Sequence, residues 1–144
     1  MPNTFKHRNL PHLFLSARET LMQCFRPILS GAGITEQQWR VLRTLHEEKI
    51  LDAATLAQRA QVLAPSLTRM LRVLEQSALI ERHPDPDDLR RQVIRLSAKG
   101  RKTVIRLGPQ IEAVYQDFET VIGPKLLTSL YSNIDDMIER VQGS

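Results

Sequence analysis

Cysteine is almost absent: Cys24 stands alone in 144 residues, so no intrachain disulfide can form. The four histidines, His7, His12, His46 and His83, are scattered rather than spaced as ligands, which argues against a zinc cluster. No metal or cofactor is expected. There is no glycine-rich phosphate loop, and no nucleophile, base and orienting acid can be grouped by motif, so nothing supports catalysis. Apolar runs stay well short of the length that crosses a bilayer and the start carries no signal-peptide pattern. A cytoplasmic chain with no membrane partner is the expectation.

What is present suits one compact domain, residues 1–144, with a small core. Net charge is +4, and its distribution says more than its size. Residues 58–102 hold ten lysines and arginines against five acids, while the rest of the chain holds ten against eleven. Positive charge confined to one segment is the electrostatic footprint of phosphate contact. A membrane surface would also attract it, but that reading needs an amphipathic helix with bulky apolar residues opposite the charges and no hairpin.

The basic segment opens with two short amphipathic helical patterns in LAQRAQVLAPSLTRMLRVLEQSALIER, separated by a turn at Val62, Leu63 and Ala64. Pro65 and Ser66 open the second helix, the proline because its missing N–H is not needed in a first turn, the serine as a cap for a free backbone donor. Leu67, Met70, Leu71 and Leu74 recur at steps of three and four and form its buried face. The opposite face carries Ser66, Arg69, Arg72 and Gln76, with Thr68 on the flank, all suited to phosphate oxygens and base edges. A plain solvated face is the alternative for such a helix in isolation.

The residues that follow make that alternative less attractive. Ile80 and Arg82, then Val93 to Leu96, alternate as two short strands around the turn-forming HPDPDDLRRQ, with Arg90 and Arg91 at the far end of the loop. A hairpin with a basic tip beside a recognition helix can reach a minor groove, whose negative potential favours arginine. Asp88 is placed to hold one arginine while the other meets DNA.

The flanks are long helices. From Leu10, the positions Leu13, Phe14, Ala17, Leu21, Phe25 and Ile28 make one apolar stripe, and Leu15, Met22 and Leu29 a second, which suggests a partner helix. Val104 to Val121 and Leu127 to Val141 form two further seams, separated at Gly123-Pro124. Pro27 and Pro109 should bend their helices. The fold class expected is mainly α with a small β wing: a winged helix-turn-helix at 35–99 plus a helical dimerisation region at 8–33 and 100–144.

LAQRA, PSLTRML, LEQSALIER, the wing Asp88-Leu89-Arg90-Arg91 and the junction LSAKG (Leu96 to Gly100) resemble a MarR-type winged helix-turn-helix regulator over nearly the whole chain. SARETLMQCFRPIL and ITEQQWRVLRTL resemble the branch that includes the homoprotocatechuate-degradation operon regulators. One departure is Ala78, where that family usually has glycine, implying a mildly strained exit from the recognition helix. The resemblance implies a homodimer on a palindromic operator, with two recognition helices about one DNA turn apart.

It also implies a repressor of an aromatic-acid catabolic operon, released when a phenolic or aromatic carboxylate binds between the dimer helices and the winged unit. Such a ligand needs a cation, a polar group and apolar walls, roles open to Arg18 or Arg40, to Ser16 or His12, and to Trp39 with Phe14. Each arginine has a competing role as a salt bridge to Glu19 or Glu36. The alternative is a redox-sensing repressor using Cys24, although a lone cysteine on an apolar stripe is usually buried and inert. A helical module that binds protein is a third reading, and it leaves the charge segregation unexplained.

Overall fold

Helix starts need acceptors for backbone N–H groups that have no intrahelical partner, and this chain supplies them from side chains. The computed structural model describes residues 4–143, and the outer limits 1 and 144 assigned from sequence lie outside that range. In α1 (Leu10–Gly31), Asn9 accepts from the N–H of His12 at 3.0 Å. In α2 (Glu36–Glu48), Thr35 and Gln38 cap reciprocally at 3.1 and 3.0 Å. In α3 (Ala53–Ala60), Asp52 accepts from Thr55 at 2.8 Å.

Two helices among the described residues lack such a side-chain cap, and α4 (Ala64–Gln76) is the first of them. Its N-cap is Leu63, with no side-chain cap. The helix therefore starts one residue earlier than the sequence suggests, and the turn between α3 and α4 is Gln61 to Leu63, entered through a left-handed Gln61 at φ 57°. Pro65 falls in the second helical position, still harmless there, while Ser66 lies inside the first turn and does not cap.

A three-stranded antiparallel sheet follows the order β1-β3-β2, where β1 is Ile50–Asp52, β2 Ile80–Asp85 and β3 Asp88–Leu96. Sequence alternation points to two strands and misses β1, which at three residues is too short to show a period. The loop expected over HPDPDDLRRQ is also corrected: both strands extend into it, leaving Pro86 and Asp87 as the turn. Pairing runs from Ile80↔Leu96 to Pro84↔Gln92 and then jumps to Asp85↔Asp88. Leu89, Arg90 and Arg91 thus have no partner on β2, and they form a wide bulge at the wing tip.

The chain divides into two compact units, one up to Leu107 and one from Gly108 onward. The first is a winged helix-turn-helix whose core is aliphatic: Leu29, Val41, Leu42, Leu45, Leu56, Leu67, Leu71, Leu74 and Ile94 are almost wholly enclosed. Each contributes about 1.5–3 kcal/mol by leaving water. Two sequence expectations change here. Leu29, assigned to a stripe for a partner helix, is 2% exposed in this unit, and Cys24, expected to be buried, is exposed.

Helix α5 (Ala98–Ile122) starts in the first unit, capped by Ser97, and continues through Pro109 into the second. There Tyr115 and Phe118 pack edge to face at 6.0 Å. Gly123, at φ 91°, turns the chain into α6 (Pro124–Gln142), whose first residue is proline. α6 has no buried residue, and Leu126, Leu130, Tyr131, Ile138 and Val141 are exposed in the single chain. No helix among the described residues is long and apolar enough to cross a membrane, and no cluster of His, Cys, Asp or Glu among them suits a metal.

Candidate nucleic-acid interface

With Leu67, Leu71 and Leu74 buried and Met70 half-buried, α4 has only one orientation open to it, and its other face carries exposed Thr68, Arg69, Arg72 and Gln76. Ser66 is half-buried at the edge of that face. The hydroxyl of Thr68 donates to the Ala64 carbonyl at 3.1 Å, so its methyl and lone pairs are what it offers outward. Arg69 and Arg72 have no acid within ion-pair distance among the described residues. Two cations left uncompensated on one helix face suit phosphates or guanine edges.

The far end of α4 is fixed by backbone geometry. Ala78 is left-handed at φ 61°, with its N–H donating to Glu75 and that of Leu79 to Leu74, which closes a Schellman motif without glycine. The left-handed alanine costs about 1 kcal/mol. The start of α5 grips this exit: Ser97 Oγ donates to the Ala78 carbonyl at 2.5 Å, Ser97 N–H to Leu79 at 3.0 Å, and Lys99 Nζ to Ser77 at 3.0 Å. Gly100 allows the approach, because a Cβ there would drive into the Leu79 carbonyl. Sequence reasoning used LSAKG only as a family signature and missed this clamp.

In the wing, most arginines are held by carboxylates. Arg95 Nε donates to Glu81 at 3.0 Å, and His83 Nε2 lies 3.2 Å from the same carboxylate. These contacts, His83 first and Arg95 next, hold the Glu81 carboxyl below its ordinary pKa. Arg82 reaches Glu75 of α4 at 3.7 Å, and Arg91 pairs with Asp52. Asp88 accepts both the backbone N–H and Nε of Arg90, at 3.1 and 3.3 Å, yet the Arg90 side chain remains 92% exposed. The sequence reading had one arginine held by Asp88 and the other free. Asp88 does hold one of them, Arg90, although its side chain stays exposed, while the other, Arg91, is not free but paired with Asp52.

The residues considered for a small effector lie on α1 and α2. His12 and Ser16 are exposed on one face of α1, Phe14 is half-buried, and Trp39 is buried. Arg18 is paired with Glu36, which also meets Arg26 at 3.5 Å. Arg26 in turn pairs with Glu19 at 2.8 Å, and that hydrogen bond lowers the Glu19 pKa while raising that of Arg26. Among the described residues Arg40 has no acid partner: its guanidinium donates to the Gln61 carbonyl at 3.4 Å and its Nε is buried without a hydrogen bond.

The MarR family pattern matches residues 34–92. The HTH-type transcriptional regulator FarR of Neisseria gonorrhoeae is 41% identical over 85% of this chain and 84% of its own length. The homoprotocatechuate degradative operon repressor of Escherichia coli is 36% identical over 92% of this chain and 89% of its own. Among solved structures, NadR in complex with 4-hydroxyphenylacetate is 38% identical with a TM-score of 0.84, covering 95% of this chain and 97% of that one. The curated relatives are transcriptional regulators rather than enzymes.

Proposed function

Since the chain belongs to the MarR family of transcriptional regulators, we propose that it is a cytoplasmic, homodimeric repressor of an aromatic-acid catabolic operon. It binds a palindromic operator and leaves it when a phenolic or aromatic carboxylate binds. The observation that carries the DNA part is the pair Arg69 and Arg72, exposed on α4 with no acid among the described residues within ion-pair distance, beside a wing that presents Arg90. Arg69, Arg72 and Gln76 then read the major groove, with Ser66 and Thr68 at its edge, and Arg90 enters the minor groove. Arg91 serves by holding the wing in place. Exposed apolar residues on α6 support a partner helix from a second copy.

The effector class rests on relatives: one is named a homoprotocatechuate operon repressor, and another was solved with 4-hydroxyphenylacetate. In this chain Arg18 or Arg40 supplies the carboxylate partner, His12 or Ser16 the polar group, and Trp39 with Phe14 the walls. The test is fluorescence anisotropy on a duplex selected from a random pool, with aromatic acids titrated in and their binding followed by thermal shift. Failure to bind any selected duplex tighter than random DNA would sink the proposal. A second reading, peroxide sensing through Cys24, is favoured by one observation, the exposure of that thiol.

A further inference from the structure

One wing side chain is explained by neither the core nor any ion pair. Leu89 is 78% exposed, at a hairpin tip where a polar residue would be expected. It sits in the bulge that leaves Leu89, Arg90 and Arg91 without partners on β2. The backbone around it is held: Asp87 N–H donates to Asp85 at 2.9 Å, and Arg90 N–H to Asp88 at 3.1 Å. Leu89 is therefore presented outward beside the 92% exposed Arg90.

We propose that Leu89 is an apolar wedge that enters the DNA minor groove beside Arg90 and makes the protein prefer an easily unstacked pyrimidine–purine step beneath the wing. The inference rests on the DNA-binding reading and adds a specificity residue to it. The guanidinium is drawn to the negative potential of the groove, and the leucine gains by leaving water against sugars and a partly opened base step. TA and CA/TG steps open at least cost, so sequence is read at a position where no hydrogen bond to a base is made. Charge complementarity selects DNA over an apolar protein partner, which would have to bury the exposed Arg90 guanidinium alongside the leucine.

Leu89→Ser, Leu89→Met and the wild type are compared on a selected duplex and on a copy whose wing-contacted step is replaced by a stiff A-tract. Leu89→Ser should lose about tenfold in affinity on the first duplex and much less on the second, with Leu89→Met restoring most of the loss. Its salt dependence and melting temperature should match the wild type, because no charge and no core contact changes. Leu89→Ser binding as tightly as wild type, or losing equally on both duplexes, overturns the wedge while leaving the DNA-binding reading standing. A wild type that binds no duplex overturns both.

Discussion

Asp52 holds two groups at once: Oδ1 accepts the N–H of Thr55 at 2.8 Å, and Oδ2 forms an ion pair with Arg91. The register explains why they meet. Asp52 lies opposite Val93, and Arg91, two residues before Val93 on β3, shares the face of that pair. One carboxylate thus caps the first helix of the helix-turn-helix and anchors the wing.

Asp52→Ala should cost about 1 kcal/mol through the lost cap alone, which for a chain of this size lowers the melting temperature by about 2–4 °C. Arg91→Ala should leave the cap intact and weaken operator binding by freeing the wing. In a double-mutant cycle the two should couple in DNA affinity. Strict additivity there would show that the ion pair does not position the wing.

Arg90 should behave differently from Arg91. Arg90→Ala is expected to weaken operator binding about tenfold or more with the melting temperature unchanged, since its side chain is 92% exposed and tethered through a solvent-facing contact with Asp88. Arg69→Ala and Arg72→Ala separate two roles by anisotropy. A base-reading arginine loses discrimination between operator and random DNA, and a phosphate contact loses both affinities together with a shallower salt slope. Unchanged affinity in all three variants would remove DNA from this face.

Ala78→Gly should stabilise the protein, because glycine occupies the left-handed region without the Cβ penalty of about 1 kcal/mol. A rise in melting temperature of about 2–4 °C is expected. No rise would mean that the Ser97 and Lys99 contacts to the Ala78 and Ser77 carbonyls already absorb the strain.

Glu19 and Glu81 both sit below the ordinary carboxylate pKa, through hydrogen bonds from Arg26 and from His83 with Arg95 respectively. A carboxyl depressed in the folded state stabilises above its unfolded value of about 4.3, and that contribution disappears as pH falls through the folded value. Glu81→Gln should therefore lower the urea midpoint more at pH 7 than at pH 4. A gap that is constant or widens toward acid would contradict the assignment.

The parts legible in sequence are those written in long periodic patterns. Leu67, Leu71 and Leu74 fix the orientation of α4, and Gly123-Pro124 fixes the break before α6. Three-residue β1 is too short for a period, and the exits of α2, α3 and α4 lie at Lys49, Gln61 and Ala78, all at positive φ without the glycine that would mark them. Ion-pair partners are the least legible of all. Asp52 with Arg91 is brought together by tertiary placement, where charge alone offers many partners, and of the two acids named for Arg18 it is the fold that selects Glu36.

The two sensing readings predict opposite outcomes in one set of variants. If an aromatic acid is the signal, Cys24→Ser should keep both operator binding and ligand-driven release, while Arg18→Ala or Arg40→Ala should abolish release and spare DNA binding. A ligand shifts an equilibrium only through its different affinity for the two states, so losing the carboxylate's partner removes coupling without touching α4. Arg18 needs a control, because its removal also frees Glu36. Glu36→Gln breaks that pair but keeps the cation, and it should retain release if the cation is what the ligand meets. Under the redox reading, peroxide frees the wild type from DNA and does nothing to Cys24→Ser, whose hydroxyl cannot form a sulfenic acid. Peroxide release that vanishes in Cys24→Ser, together with no response to any aromatic acid by anisotropy or thermal shift, would overturn the ligand reading and leave the exposed thiol as the sensor.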